Sequence, residues 1–331
     1  MKNKILDIFN FNTIVPIPTQ FNKDLTINFN AIKKHIYLLK KKNVNLFYLG
    51  QSASELERLS LSERIKLANY VTKIIRPKAK LILQPLGFTS IEDQIFEAKK
   101  LEKIGCDFMV VEPIHIKGKQ YFYSNRFKNS EYSPNRHDDY YVKYMKTFSK
   151  KIKVPILFHL KEFSFGKTLS IKALDKILKI KNIVGLKEHN NSINIRKKHF
   201  VRYGLKKKKI CFDGFSKEDF ITTSKYGVKS RHSNFSWFDP VWDQIFIKLI
   251  KNKKDKLLKE MVKIESSIKN AIILTGYAGY KYLMKIVNFT SLQGHVKMPG
   301  CNLNISQKKI LSKAFKRFNK KKLNFMKNNN F

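Results

Sequence analysis

Cysteine is scarce in this chain: Cys106, Cys211 and Cys301 lie far apart. An odd number at wide spacing argues against a disulfide framework, and no pair has the short spacing of a metal-ligand motif. Reduced, buried thiols are usual in a cytosolic protein, so a cytoplasmic location is expected. Acidic residues are few as well, 25 against 67 Lys plus Arg, for a formal net charge of +42. Long apolar runs are missing. The N-terminus, Met1-Lys2-Asn3-Lys4-Ile5-Leu6-Asp7, has no extended apolar segment and no small-residue cleavage site, so no signal peptide is expected. The most apolar later stretch, 271–284, is too short for a bilayer span and carries Lys281, so no membrane partner is expected. A glycine-rich phosphate loop is also lacking, because the first apolar run leaves through Pro16-Ile17-Pro18-Thr19. That argues against an open dinucleotide-binding sheet.

The positive charge admits a nucleic-acid partner on electrostatic grounds. Yet the basic residues are spread over almost every amphipathic run, and Lys, Asn, Ile and Phe are frequent together, as A/T-rich coding would make them. No RNP, zinc-finger or helix-turn-helix signature accompanies them. No specific nucleic-acid partner is expected, only weak and salt-sensitive attraction to polyanions.

What is present is alternation. The chain has 331 residues and 43% hydrophobic content, enough for one large α/β domain with additions. Short apolar runs at 13–17, 44–49, 79–83, 107–111, 154–158, 183–186, 209–212 and 228–233 read as strands. Amphipathic runs at 30–42, from Ser60 or Ser62 through Val71, and at 90–104, 139–151, 171–180, 192–203, 217–226 and 239–251 read as helices. Ser60 or Ser62 can cap the second helix, and Asn304-Ile305-Ser306-Gln307 the last. Eight strand-then-helix units in this length predict a closed (β/α)8 TIM barrel with parallel strands. The predicted boundaries are a lead-in at 1–12, the barrel at 13–253, about three further helices at 254–319, and a disordered basic tail at 320–331. The polar, aromatic and aperiodic stretch 112–138 reads as a long loop beside the strand ends, with 117–138 as an insertion able to act as a lid or an oligomer contact.

In such a barrel the site lies where the strands end. The strand ends offer Thr19, the loop 50–55, Gln84, 113–115, His159, Lys187, Asp213 and Ser233. Lys187 is the only lysine in this set. It closes the run Asn182-Ile183-Val184-Gly185-Leu186-Lys187-Glu188, whose apolar body suits a buried strand. A lysine there is either a solvated strand end or an amine in a dry pocket. In the second case desolvation lowers its pKa, and the neutral amine can attack a carbonyl to form a Schiff base.

Several segments, in order, resemble one known family. Val15-Pro16-Ile17-Pro18-Thr19-Gln20-Phe21 resembles a first strand ending in T-P-F. Gly50-Gln51-Ser52-Ala53-Ser54-Glu55 resembles a G-T-T-G-E loop with one extra residue. Gly105-Cys106-Asp107 resembles G-A-D, Ile183-Val184-Gly185-Leu186-Lys187 resembles I-V-G-I-K, and His295-Val296-Lys297-Met298-Pro299 resembles V-R-x-P. From about residue 14 to about residue 318 the chain resembles the dihydrodipicolinate synthase/N-acetylneuraminate lyase family of pyruvate-dependent class I aldolases, as a divergent member.

The resemblance implies that Lys187 condenses with pyruvate or another 2-oxo acid, and that the reaction joins that acid to an aldehyde or cleaves the joined product. It implies Ser52, Ala53 and Ser54 as carboxylate-binding positions, Ser233 as a further contact, no metal or organic cofactor, and a homo-oligomer, dimer or tetramer. Departures are informative. His159 falls on the family's catalytic tyrosine, where it could serve as acid/base. Ser164 falls on an arginine that binds the second substrate, so a second substrate other than aspartate semialdehyde is expected, with Lys161 or Lys167 as replacement charges. Ile114 and His115 fall on paired tyrosines, leaving His115 as a second proton carrier. The alternatives are a sugar-acid aldolase or dehydratase using the same lysine, and a catalytically impaired barrel with a binding or scaffold role.

Overall fold

The computed structural model describes residues 7–87, 89–113, 137–161, 169–287, 289, 294–298 and 300–331. Eight short strands follow one another: β1 (Asn12–Pro16), β2 (Leu46–Leu49), β3 (Lys80–Leu83), β4 (Phe108–Val111), β5 (Ile156–Leu160), β6 (Ile183–Glu188), β7 (Ile210–Asp213) and β8 (Ser230–His232). All but β8, which is the polar triplet Ser230-Arg231-His232, carry Ile, Val, Leu or Phe, as strands covered on both faces require. They pair in parallel in chain order, and β8 returns to β1 through Asn12↔Ser230 and Ile14↔His232, closing the barrel.

The crossovers are α1 (Phe29–Lys41), α2 (Leu61–Ile75), α3 (Ile91–Ile104), α4 (His137–Lys151), α5 (Ile171–Leu178), α6 (Ile193–His199) and α7 (Lys217–Ser224), with α8 (Pro240–Lys251) after β8. A small polar residue starts most of them. Ser60, rather than Ser62, caps α2, accepting from Glu63 N while Glu63 accepts from Ser60 N at 2.7 Å. Ser90, Ser170, Ser192 and Ser216 cap four others, and Asp239 with Pro240 behind it starts α8.

The structure departs from the sequence reading in two places. The run expected as one helix over 192–203 is α-helical only to His199 and then widens into a π-helix, Phe200–Lys206. The C-terminal addition is α9 (Asp255–Ile286), divided into two helical segments at Gly276, whose φ is 53°, and α10 (Ile305–Asn328), which together make the three helices read from the sequence. The tail expected to be disordered from 320 continues α10. Composition hides the reason: Leu311, Phe318 and Phe325, seven apart, are the buried residues of α10. Phe325 packs edge-on against Trp242 at 5.5 Å, and Lys322 Nζ lies 2.6 Å from Asp239. Most of the predicted insertion 117–138 lies outside the described residues, as do Ser164 and Lys167.

Two packed layers result. The outer one joins the helices to the outward faces of the strands. The inner one holds Phe9, Ile14, Leu46, Tyr48, Ile82, Phe108, Val110, Leu157, Ile210 and Phe212. Phe9 closes the N-terminal end of the barrel, its ring 5.0 Å from that of Phe108. Period-two alternation fixes the inward set, and it continues past the strand ends. The approach of β6 to β7 is close. A Cβ at Gly185 would fall 2.1 Å from the Ile210 carbonyl oxygen and 2.6 Å from Ile210 Cβ, so only glycine fits. Gly185→Ala is expected to lower the unfolding free energy by about 3 kcal/mol, the upper range for overpacking. Urea denaturation checks this; an unchanged midpoint would mean that the two strands do not approach so closely.

Candidate active site

At the C-terminal ends of the strands a cavity of about 300 Å³ opens. Tyr48 comes from β2, Gln84 follows β3, Glu112 follows β4, His159 and Lys161 come from β5 and its exit, Lys187 and His189 from β6 and its exit, and His232 from β8. Gln51, Ser52 and Ala53, in the turn after β2, complete one wall. A larger groove of about 880 Å³ lies between α2 and α3, away from the strand ends.

Lys187 is 5% exposed. Its Nζ sits 4.8 Å from the centre of the Tyr48 ring and donates to the Tyr48 hydroxyl at 3.5 Å. Burial pushes the amine down to about 7, against the pull of Glu112 and with help from the Lys161 charge. Near neutral pH a large share of this amine is therefore uncharged and nucleophilic. The Tyr48 hydroxyl donates in turn to Gln84 Oε1. Burial, with Glu112 and Tyr277 nearby, raises the Tyr48 phenol well above its usual value, so it stays protonated. Gly50 makes room for that ring, since a Cβ there would overlap Tyr48 Cζ.

Glu112 is the one carboxylate among the described lining residues. Its Oε1 is 3.3 Å from Lys161 Nζ and its Oε2 is 3.1 Å from His159 Nδ1. On the other side of that ring, His159 Nε2 is 3.1 Å from His189 Nδ1. Burial pushes His159 down to about 4, with Lys187 adding and Glu112 opposing. Burial and Lys187 also hold His189 and His232 well below the ordinary imidazole range. All three rings are neutral near pH 7. Among the described residues no group of three His, Cys, Asp or Glu is placed to hold a metal ion.

The turn after β2 is braced from below. Thr19 Oγ1 donates to Ser54 O at 2.5 Å, and Ser54 Oγ accepts from Gly50 N at 3.1 Å. Glu55, in the left-handed region at φ 56°, pairs with Arg58 at 2.6 Å and with the fully buried Lys281 of α9. Lys281, the charge that interrupts the apolar stretch 271–284, thus ties the C-terminal helices to this turn. Gln51 Oε1 accepts from Gln84 Nε2 and Gly87 N, both at 3.4 Å. Among the described residues, Gln51 Nε2 is buried without an acceptor.

Of the residues expected from sequence, Lys187, His159, Ser52, Ala53 and Gln84 meet in this cavity. Ser54 does not line it; its hydroxyl holds the turn. Ser233 is a correction. Its hydroxyl donates to Asp243 on α8 at 2.6 Å, within a buried cluster that includes Lys217 and Arg231. Asp213 likewise turns outward, to Thr223 and Arg196. Both sit out of phase: the inward positions of β7 and β8 are 212 and 214, and 232 and 234. His115 lies outside the described residues. Tyr48, Glu112, His189 and His232 were not anticipated. The signal was available, because each continues the inward alternation of its own strand.

The dihydrodipicolinate synthetase family model matches residues 10–317. The chain belongs to this family. A DapA-like lyase of Pyrococcus abyssi is 25% identical over 182 residues, 54% of each chain. The 4-hydroxy-tetrahydrodipicolinate synthase of Karelsulcia muelleri is 23% identical over 208 residues, 62% of this chain and 64% of that one. The chain thus matches from about half to just under two thirds of these relatives' length. The dihydrodipicolinate synthase structure from Oceanobacillus iheyensis superposes with a TM-score of 0.82 at 13% identity, covering 97% of this chain and all of that one. The N-acetylneuraminate lyase of Fusobacterium nucleatum complexed with pyruvate gives 0.78 at 16% identity, covering 94% and 97%. At such identity these likenesses are of fold. The fold shared with these structures is the TIM barrel.

The depressed pKa generates a direct test. Acetylation of Lys187 by acetic anhydride, followed by mass spectrometry, should rise through about pH 7, well before the surface lysines. A Lys187 profile that rises only with those lysines would contradict a desolvated amine.

Proposed function

We propose that this protein is a Schiff-base lyase or synthase in which Lys187 condenses with pyruvate or another 2-oxo acid. The observation that carries this is a buried amine, lowered to about 7, at the mouth of a barrel of the dihydrodipicolinate synthetase family. The neutral amine adds to the ketone carbon, and loss of water leaves the iminium. That cation draws electrons from the neighbouring carbon, either to form an enamine nucleophile or to cleave a carbon–carbon bond. The turn 51–53 receives the carboxylate, with Gln51 Nε2 as a donor awaiting an acceptor. Tyr48 holds the amine and its hydroxyl in one line with Gln84.

The partner is an aldehyde. Lys161 reaches the same cavity from the exit of β5 and stands as the charge for an anionic group on it. A lysine offers a point charge and not the planar fork of an arginine, so the preference differs from that of the aspartate-semialdehyde enzymes. The enzyme acts as a homo-oligomer.

Borohydride reduction in the presence of pyruvate should add one reduced pyruvate at Lys187, located by peptide mass spectrometry. Lys187→Ala should remove the adduct and reduce turnover at least about 1000-fold, since the covalent route is lost. Absence of an adduct with any 2-oxo acid tested would leave the barrel a binding protein and refute the proposal.

A further inference from the structure

Neither ring nitrogen of His159 is open to substrate. Nδ1 is buried 3.1 Å from the Glu112 carboxylate, an ion-pair distance without hydrogen-bond alignment, and Nε2 is hydrogen-bonded to His189 Nδ1 at 3.1 Å. A carboxylate accepts only, so it favours the tautomer with hydrogen on His159 Nδ1. His159 Nε2 is then an acceptor, and the hydrogen between the rings belongs to His189 Nδ1. This leaves His189 Nε2 with a bare lone pair. His189 is half-buried, lines the cavity with Lys187, and has no partner at Nε2 among the described residues. Gly214 keeps that end open, since a Cβ there would stand 3.3 Å from Nε2.

We propose that Glu112, His159 and His189 form one ordered chain in which His159 is the interior link and His189 Nε2 is the base. It removes the proton from the carbon next to the imine carbon of the Lys187-bound 2-oxo acid. This rests on the Schiff-base reading above. The step balances. The C–H electron pair becomes the carbon–carbon double bond of the enamine, and the C=N pair moves onto the Lys187 nitrogen. The proton goes to Nε2, turning a neutral His189 into an imidazolium. The charge lost by the iminium is thus gained by His189, and Glu112 offsets it through His159. Glu112 and His159 are positioning residues; only His189 meets the substrate. Among the described residues, Lys161, Lys187 and His232 also face this chain of groups.

Two readouts separate the steps. Imine formation is read by borohydride trapping. Enamine formation is read by deuterium uptake into the pyruvate methyl group in heavy water, followed by proton NMR. His189→Gln should still trap pyruvate while exchange falls about 100-fold or more, the usual worth of a general base. Glu112→Gln should trap as well and lose exchange about 10-fold or more, since the tautomer is no longer set. Trapping with wild-type exchange in His189→Gln would overturn the chain. Failure of the wild type to trap would overturn the Schiff-base reading instead. A readout independent of the variants' folding is long-range proton–nitrogen NMR of the wild-type imidazoles at neutral pH. It should find hydrogen on Nδ1 and a bare Nε2 in both His159 and His189, and the opposite tautomer in either ring would sink the proposal.

Discussion

Closure of the barrel is the constraint on which everything else in this protein depends. Eight strands that pair edge to edge and return on themselves leave each residue only two directions, into the barrel or out to the helices. One close approach is the contact of β6 with β7, where Gly185 lies against the Ile210 backbone. Two residues beyond it, in the same phase, Lys187 must enter the mouth. The inward phase of the other strands delivers Tyr48, Gln84, Glu112, His159 and His232 to the same space. The site is the continuation of the inner packed layer, with polar side chains replacing apolar ones as the strands run out.

Desolvation then does the chemical tuning. The layer beneath the cavity is apolar and closed by Phe9, and the side chains around the cavity are largely buried from water. In that setting a charge is costly, so Lys187 and the three histidines favour their neutral forms. Glu112 is the counterweight. It opposes the fall of Lys187 and His159, pairs with Lys161, and orients the imidazoles. One carboxylate therefore sets both the charge balance of the cavity and the direction of its hydrogen bonds. The C-terminal helices stabilise the opposite wall, through the buried Lys281–Glu55 pair.

Much of this was legible in the chain. The eight strands, the helices between them, the Asn304 cap and the approach of Lys187 to the site follow from apolar periodicity and a few cap residues. What was missed shares one cause. Strand ends were read as places without regard to phase, so Asp213 and Ser233 were included although they face the helices, while Tyr48, Glu112 and His189 were overlooked although they face inward. The tail was read by composition. Its lysines outweighed Phe318 and Phe325, seven residues apart, whose rings both pack on Trp242 of α8.

The sequence by itself determined the architecture and the identity of the buried lysine, because both rest on local patterns: alternation within a strand, periodicity within a helix, and a glycine placed for close approach. Only the tertiary structure decided what surrounds that lysine. Glu112, His159 and His189 come from three different strand exits, separated by 47 and 30 residues of chain. No local pattern relates them. Barrel closure brings them within hydrogen-bonding distance, and their roles come from that proximity and from the loss of water around them.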